Sequence, residues 1–165
     1  VFVAENVLTW IFVTIFIIIG VLTQKQINFW AYPTLSVYKT YWNYQTGKLS
    51  WSEYLTKFDN ATRNYNVAKY LNERLMEDDK IYVWGTDPTI YNLTNRLPTG
   101  GKYIVSFHVR DLNKYEYTMD NLNESKPKYI MILPGTTQFD ELEAMISHKY
   151  VLAKNIDGVE IYIRL

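Results

Sequence analysis

The chain has 165 residues, 17 basic and 17 acidic side chains, a formal net charge of zero and no cysteine. That balance argues against a nucleic-acid-binding module, which gathers a surplus of Lys and Arg on one face. The lack of thiols excludes a disulfide framework, a zinc ribbon and a cysteine nucleophile. Aromatic residues make up 16% of the chain, a share that suits a domain at a membrane interface or a glycan-handling surface.

The N-terminal residues 1–24 are predicted to hold a transmembrane helix. Residues 6–24 carry no charge and are almost wholly apolar. At about 1.5 Å per residue they give a helix of roughly 28 Å, close to the roughly 30 Å hydrocarbon core of a bilayer. A secretory signal peptide fits less well, because Glu5 precedes the run and no small-residue cleavage site follows it. Since the chain starts at Val1, we expect this helix to be the last span of a longer protein.

Residues 25–49 form an aromatic segment in which Pro33 precedes a predicted short helix ending near Gly47. Amphipathic rings settle at the headgroup level of a bilayer, so this helix is expected to lie along the membrane surface. Packing of the same rings beneath the following domain is an equally good interpretation. The two alternatives stay open at this point.

Residues 50–165 show patterns of both helices and strands. Ser50 and Glu53 have the spacing of a capping box, and apolar residues follow at a helical period. Because Asn64 and Asn66 compete for backbone hydrogen bonds, we predict one helix to about Arg63 and a second from Asn66 to about Met76. Three short apolar runs then predict buried strands, at residues 80–84, 102–107 and 128–133.

The connections between these strands complete the predicted fold. Asp87 and Pro88 are expected to open a short helix through Asn95, and residues 111–123 form either a helix or a loop. Thr137 is expected to cap a helix from residue 138 to about 147. The pair Asp157-Gly158 predicts a β-hairpin between residues 150–155 and 159–165. The alternation predicts a three-layer, Rossmann-like α/β domain with a mainly parallel sheet and a C-terminal hairpin.

The turn from Gly85 to Pro88 is the first candidate ligand site, because open α/β sheets place ligands between the end of a strand and the next helix. The glycine spacing of a dinucleotide site and the Lys-Ser or Lys-Thr pair of a P-loop are both missing, so nucleotide binding is only weakly indicated. We predict no cofactor and no metal in this chain. The residues expected to face a substrate or a cavity are Asp87, Tyr91, Arg96 and His108.

Two of these residues have specific predicted roles and specific alternatives. Tyr91 is expected to stack on a sugar or a lipid-linked group, and the guanidinium of Arg96 to pair with a phosphate or carboxylate. In the alternative interpretation, Tyr91 packs on the sheet and Arg96 caps carbonyl groups within the domain. Catalytic residues are not predicted among them.

Several motifs together resemble one family of membrane enzymes. A span, an aromatic segment and the motifs below are similar to the C-terminal part of bacterial and archaeal polytopic glycosyltransferases. These are related to dolichyl-phosphate-mannose-protein mannosyltransferases and to the lipid A aminoarabinose transferase. The motifs are Val67–Leu71, Asp79–Gly85, Pro88–Tyr91, Asn95–Pro98, Lys126–Ile130 and Gly158–Tyr162.

This resemblance implies an extracytoplasmic domain, residues 50–165, on a multi-pass cell-membrane enzyme. Such an enzyme moves a sugar from a polyprenyl-phosphate carrier to a protein, lipid or glycan acceptor. The family's catalytic acidic residue lies in an early extracytoplasmic loop, so the domain is expected to be accessory and to cover the active-site cavity or select the acceptor. The implied partners are the membrane, the remaining transmembrane region, the lipid-linked sugar and its acceptor. The alternative is a membrane-tethered α/β interaction or binding module of the cell envelope.

Overall fold

The computed structural model describes residues 2–27 and 33–165. Within these ranges it describes side chains from residue 7 onward. The chain divides into two compact units, Val1–Lys57 and Phe58–Leu165. Each unit is built from its own local patterns.

The first unit begins with helix α1 (Phe2–Gln26), which agrees with the predicted N-terminal helix. Its stretch Val7–Gln26 has a mean hydropathy of 2.3, and none of its most apolar window is buried within the protein. By length and composition this helix is able to cross a membrane. It is therefore compatible with a membrane anchor.

Two shorter helices follow in the same unit. Helix α2 (Thr34–Gln45) starts after Pro33, as expected, and exposes Leu35, Tyr38 and Trp42 along one face. Helix α3 (Trp51–Leu55) carries the predicted capping box, in which the Ser50 backbone N–H donates to the Glu53 carboxylate at 2.8 Å.

Part of the aromatic segment packs within this unit. The ring of Tyr44 lies 5.5 Å from that of Trp51 and 4.8 Å from that of Tyr54. The expected interfacial position of the segment stays a prediction, and its residues 28–32 lie outside the described part of the chain.

The second unit contains a four-stranded mixed sheet with the order β1-β2-β4-β3. Strands β1 and β2 pair in parallel, whereas β4 is antiparallel to both β2 and β3. The predicted hairpin is confirmed, because Asp157 and Gly158 both adopt positive φ, as a type I′ turn requires. The elements are α4 (Ala61–Asn72), β1 (Ile81–Trp84), α5 (Thr89–Leu93), α6 (Ser106–Asp111), α7 (Tyr115–Ser125), β2 (Tyr129–Ile132), α8 (Asp140–Lys149), β3 (Tyr150–Ile156) and β4 (Val159–Arg164).

Helices cover both faces of this sheet, so the α/β expectation is confirmed at that coarse level, whereas the Rossmann-like arrangement is not confirmed. On one face Val83 and Met131 pack with Val67 of α4 and Ile90 of α5. On the other face lie Tyr82, Trp84, Ile130 and side chains of α6, α7 and α8. Because both faces of β1 and β2 are covered, the two strands are near-continuous apolar runs. Each fully buried aliphatic side chain contributes about 1.5–3 kcal/mol to the stability of the fold.

The strand predicted at residues 102–107 is wrong. The chain does run beside β1, where Pro98 bridges Ile81 and the Ser106 N–H donates to the Gly85 carbonyl at 2.8 Å. Between these two points Gly101, with φ of +86°, breaks the extended backbone, and the following residues form a loop before α6. The sheet is consequently mixed, with one parallel pairing, instead of mainly parallel.

Several helix boundaries also differ from the predictions, two of them at residues that were expected to interrupt or cap a helix. The break after α3 falls at residues 56–60, because Asn60 adopts a left-handed conformation, whereas Asn64 lies inside α4, where it is buried. Helix α8 begins at Asp140 without a side-chain cap, so the predicted cap by Thr137 is also wrong. The open alternative at residues 111–123 resolves to helix α7 over most of its length.

Gly85, the residue after β1, tests how tightly this sheet is packed. A methyl group there would overlap the Leu133 side chain, whose Cβ, Cγ and Cδ1 atoms all lie too close to the added carbon. We expect Gly85→Ala to cost about 2 kcal/mol by overpacking and Leu133→Ala about 3 kcal/mol by leaving a cavity. The double variant is expected to cost clearly less than the sum. Denaturant unfolding of the full chain in detergent, followed by near-UV circular dichroism, measures this cycle, and strict additivity would contradict it.

Candidate functional site

A pocket of about 530 Å³ opens at the carboxyl ends of the parallel strands β1 and β2, between the sheet and α8. We call it the carboxyl-edge pocket. Open α/β sheets characteristically bind ligands at this edge, because the connections that follow the strands leave a crevice there. Its walls are Trp84, Ile132, Thr136, Thr137, Gln138, Phe139, Leu142, Glu143, Ile146, Ser147, Glu160 and Tyr162.

The floor of the pocket is aromatic and rigid. Trp84 ends β1 and Phe139 directly precedes α8, and both are 2% exposed. Their ring centroids lie 4.9 Å apart, and the indole N–H of Trp84 donates to the Thr137 carbonyl at 2.8 Å. This hydrogen bond fixes the orientation of the indole and ties the loop before α8 to the sheet.

The wall opposite α8 carries a paired phenol and carboxylate. Glu160 and Tyr162 alternate along β4, so they point to the same face, and the Tyr162 hydroxyl donates to Glu160 Oε2 at 2.8 Å. Burial raises the pKa of Tyr162 to about 12, with further contributions from the Glu160 carboxylate and from the charge of Glu143. The hydroxyl therefore stays protonated at neutral pH and remains a hydrogen-bond donor. None of the pocket's walls named above is Lys, Arg or His, so the pocket is negative.

Asp87 lies directly after β1 and fixes the start of α5. It accepts hydrogen bonds from the Thr89 N–H at 3.0 Å and from the side chain of Asn64, with Arg63 at 3.9 Å. Burial acts to raise the pKa of Asp87, but the bonds from Thr89 and Asn64 and the Arg63 charge outweigh it and lower the pKa. The charged group thus stabilises the fold above the ordinary carboxyl pKa, and this stabilisation is lost as pH falls through the lowered value.

Tyr91, a residue of α5, is buried in the core. It is 5% exposed, and its hydroxyl accepts a hydrogen bond from the Val83 N–H at 2.8 Å. Burial raises the pKa of Tyr91 well above that of a free phenol. In this position the hydroxyl satisfies a backbone donor of β1, and the ring packs against the sheet.

Arg96 lies at the opposite end of β1, beside a second cleft of about 540 Å³. Its guanidinium donates to the carbonyls of Asp79 at 3.0 Å and Met76 at 2.6 Å, and also to those of Thr94 and Asn95. These bonds join the end of α5 to the loop before β1. The predicted pairing of Arg96 with a substrate phosphate or carboxylate stays a prediction.

His108 is exposed on α6, where its ring meets the edge of Phe107. The structure therefore does not gather the four predicted residues into one cavity. Asp87 lies after the carboxyl end of β1, Arg96 contacts the loop before its amino end, and Tyr91 lies between them in the core.

Sequence reasoning missed the residues that line the carboxyl-edge pocket. The sequence alone indicates one part of this lining, because Glu160 and Tyr162 are two residues apart in a predicted strand and must therefore share a face. The third polar member, Glu143, comes from α8, and only the packing of that helix on the sheet brings it beside Tyr162.

The contacts of Arg96 predict a structural effect that is measurable. Arg96→Ala leaves several carbonyl groups without a charged donor, so we expect a loss of about 2 kcal/mol. That corresponds to a fall of about 10 °C in the melting temperature of the second unit. Lys80→Ala, at an exposed residue lining the same cleft, is the control and should change the melting temperature little. An unchanged melting temperature for Arg96→Ala would contradict the structural role and favour the predicted substrate contact.

Comparisons with known proteins give one family. No curated protein matches the chain. The crystal structure of the C-terminal globular domain of an oligosaccharyltransferase (AfAglB-S2) from Archaeoglobus fulgidus aligns with a TM-score of 0.39 and 13% identity, covering 61% of this chain and 95% of that domain. A family model described as "Putative competence-induced protein Ccs4 C-terminal domain" matches residues 61–164, more than half of the chain. The chain therefore belongs to the family of the Ccs4 C-terminal domain.

Proposed function

We propose that residues 58–165 form an accessory domain of a membrane-anchored glycosyltransferase, in which the carboxyl-edge pocket contacts a sugar-bearing substrate. The observation that carries the proposal is the lining of that pocket, where the half-buried ring of Tyr162 adjoins two carboxylates, Glu143 and Glu160. Aromatic faces and carboxylate acceptors suit the apolar faces and the hydroxyl groups of sugars. The apolar helix α1 supports the membrane part of the proposal.

The motifs that resemble the mannosyltransferase and aminoarabinose transferase group support an accessory role. Asp79–Gly85 contains β1, Lys126–Ile130 leads into β2, and Gly158–Tyr162 lies largely in β4. These motifs therefore build the sheet and its core. Because the similar motifs form the structural core of the domain, the resemblance supports an accessory role beside a catalytic region. We propose that the catalytic region lies in other loops of the parent protein.

The finer features of the proposal follow from the same resemblance. The sugar donor is a polyprenyl-phosphate sugar, the domain faces the extracytoplasmic side, and its partner is the transmembrane region of a multi-pass parent protein. In this arrangement the domain covers the active-site cavity or selects the acceptor.

A second candidate, a membrane-tethered interaction module, is favoured by one specific observation. Strand β3 is the outermost strand of the described sheet beyond β4, and its residues Val151 and Leu152 are exposed. An outer strand with exposed aliphatic side chains suits the addition of a strand from a partner protein.

Loss and restoration of sugar transfer test the proposed function. Membrane vesicles from cells without the gene should lose transfer of radiolabelled sugar from a polyprenyl phosphate, and the full-length gene should restore it. A version that ends at residue 57 is expected to restore less than about a tenth of the transfer, since an accessory domain that positions substrates contributes through orientation. Equal levels of both proteins in the membrane are the control. Undiminished transfer without the gene would overturn the proposal, and full transfer by the shortened version would favour the interaction module.

The side of the membrane is tested separately by protease added to intact spheroplasts. If the domain is extracytoplasmic, an epitope tag at the C-terminus disappears while a cytoplasmic marker survives. Because the folded domain resists cleavage, a flexible protease site placed after Leu165 makes the result independent of its stability. Survival of the tag until the cells are lysed would place the domain in the cytoplasm.

A further inference from the structure

We propose that the carboxyl-edge pocket selects a saccharide that carries a free amino group, on the acceptor side of the reaction. This inference rests on the proposed function, because it specifies the substrate class of the same pocket. It uses three features of the pocket: its uncompensated charge, its apolar and aromatic surface, and its size.

The charge comes from two carboxylates that converge on one phenol. Glu160 accepts the hydrogen bond of Tyr162, and the charge of Glu143 acts on the same hydroxyl. Among the described residues, neither carboxylate has a Lys, Arg or His within ion-pair distance. Both carboxylates line the same pocket and no basic side chain does, so the local field attracts a cation and repels a phosphate.

The apolar surface indicates a ring instead of a simple amine. Ile132 and the ring of Tyr162 are half-buried and supply the accessible apolar lining, whereas Trp84 and Phe139 are buried at the base of the pocket. The C–H faces of a pyranose pack against such a surface while its hydroxyl groups reach the polar wall. A lysine side chain would pair with the carboxylates but would leave most of the apolar surface uncovered.

The volume of the pocket is suitable for one or two sugar rings. The volume of about 530 Å³ lies within the range of pockets that bind small molecules, about 300–1,000 Å³. The rejection of phosphate separates this pocket from the phosphate end of a lipid-linked donor. It leaves the acceptor sugar, bearing an amine and hydroxyl groups, as the ligand that uses the whole lining.

Calorimetric titration of the purified full chain in a neutral detergent at low salt tests the proposal. The probe is the β-1,4-linked disaccharide of glucosamine, and the matched control is the same disaccharide with both amines acetylated. We expect the free amine to bind at least about tenfold more tightly, because only it pairs with the carboxylates. The tripeptide Gly-Lys-Gly tests whether any amine suffices, and glucosamine 6-phosphate tests the rejection of phosphate. Equal affinity for the free and acetylated disaccharides, or tighter binding of the peptide or the phosphate, would overturn the proposal.

Variants of the chain test whether the glucosamine disaccharide binds in this pocket. Glu143→Gln combined with Glu160→Gln keeps the shape of both side chains and is expected to weaken binding of the glucosamine disaccharide at least about tenfold. Glu141→Gln, an exposed position on the same helix that does not line the pocket, is the control and should bind like the unaltered chain. Unweakened binding by the double variant would overturn the assignment. If the double variant does not fold, the comparison of free and acetylated sugars on the unaltered chain still decides the ligand class.

The two proposals fail separately. Preferential binding of the amine form together with undiminished sugar transfer in cells without the gene would overturn the glycosyltransferase role and leave the pocket assignment in place. Lost sugar transfer together with equal binding of free and acetylated sugars would overturn the pocket assignment and leave the glycosyltransferase role in place.

Discussion

Strand β1 is buried on both faces yet has a neighbouring strand on only one side, and the second unit is organised around that constraint. The backbone groups on its open side need partners, because an unpaired buried N–H costs about 1–3 kcal/mol. Side chains and loops supply them: the Tyr91 hydroxyl accepts from Val83, the Thr99 hydroxyl donates to Ile81, and the Ser106 N–H donates to Gly85. These three bonds fix α5, the loop after it and the start of α6 relative to the sheet.

The parts of the fold that are predictable from the sequence are those that neighbouring residues determine. Strands β1 and β2, the capping box and the hairpin are encoded by neighbouring residues, so local patterns predicted them. The run at residues 102–107 is as apolar as a strand, but the preceding glycines and the contact of Tyr103 with Tyr117 keep it out of the sheet. Whether an apolar run joins a sheet depends on its neighbours in space, which the sequence does not display.

The candidate site shows the same division between local and distant information. The capping box of Ser50 and Glu53 is predicted correctly from neighbouring residues. The equally local cap predicted at Thr137 does not form, because α8 begins three residues later. The sequence predicts Asn64 to break a helix, yet Asn64 is buried inside α4 and its amide donates to Asp87, 23 positions along the chain. The wall residue Glu143 likewise gains its significance only from the packing of α8 on the sheet. Predicting it would have required the tertiary structure.

Charge is distributed differently at the two ends of β1. At the amino end Lys128 pairs with Asp79, and Arg96 is held by backbone carbonyls, so these two cations are committed to the fold. At the carboxyl end Glu143 and Glu160 face a pocket whose walls include no basic side chain. The cleft at the amino end also has more acidic than basic side chains, but Lys80 and Arg96 lie among them, whereas the lining of the carboxyl-edge pocket includes no cation. Because a ligand responds to the local field and not to the total charge, a chain that is neutral overall still presents a negative pocket at one edge of its sheet.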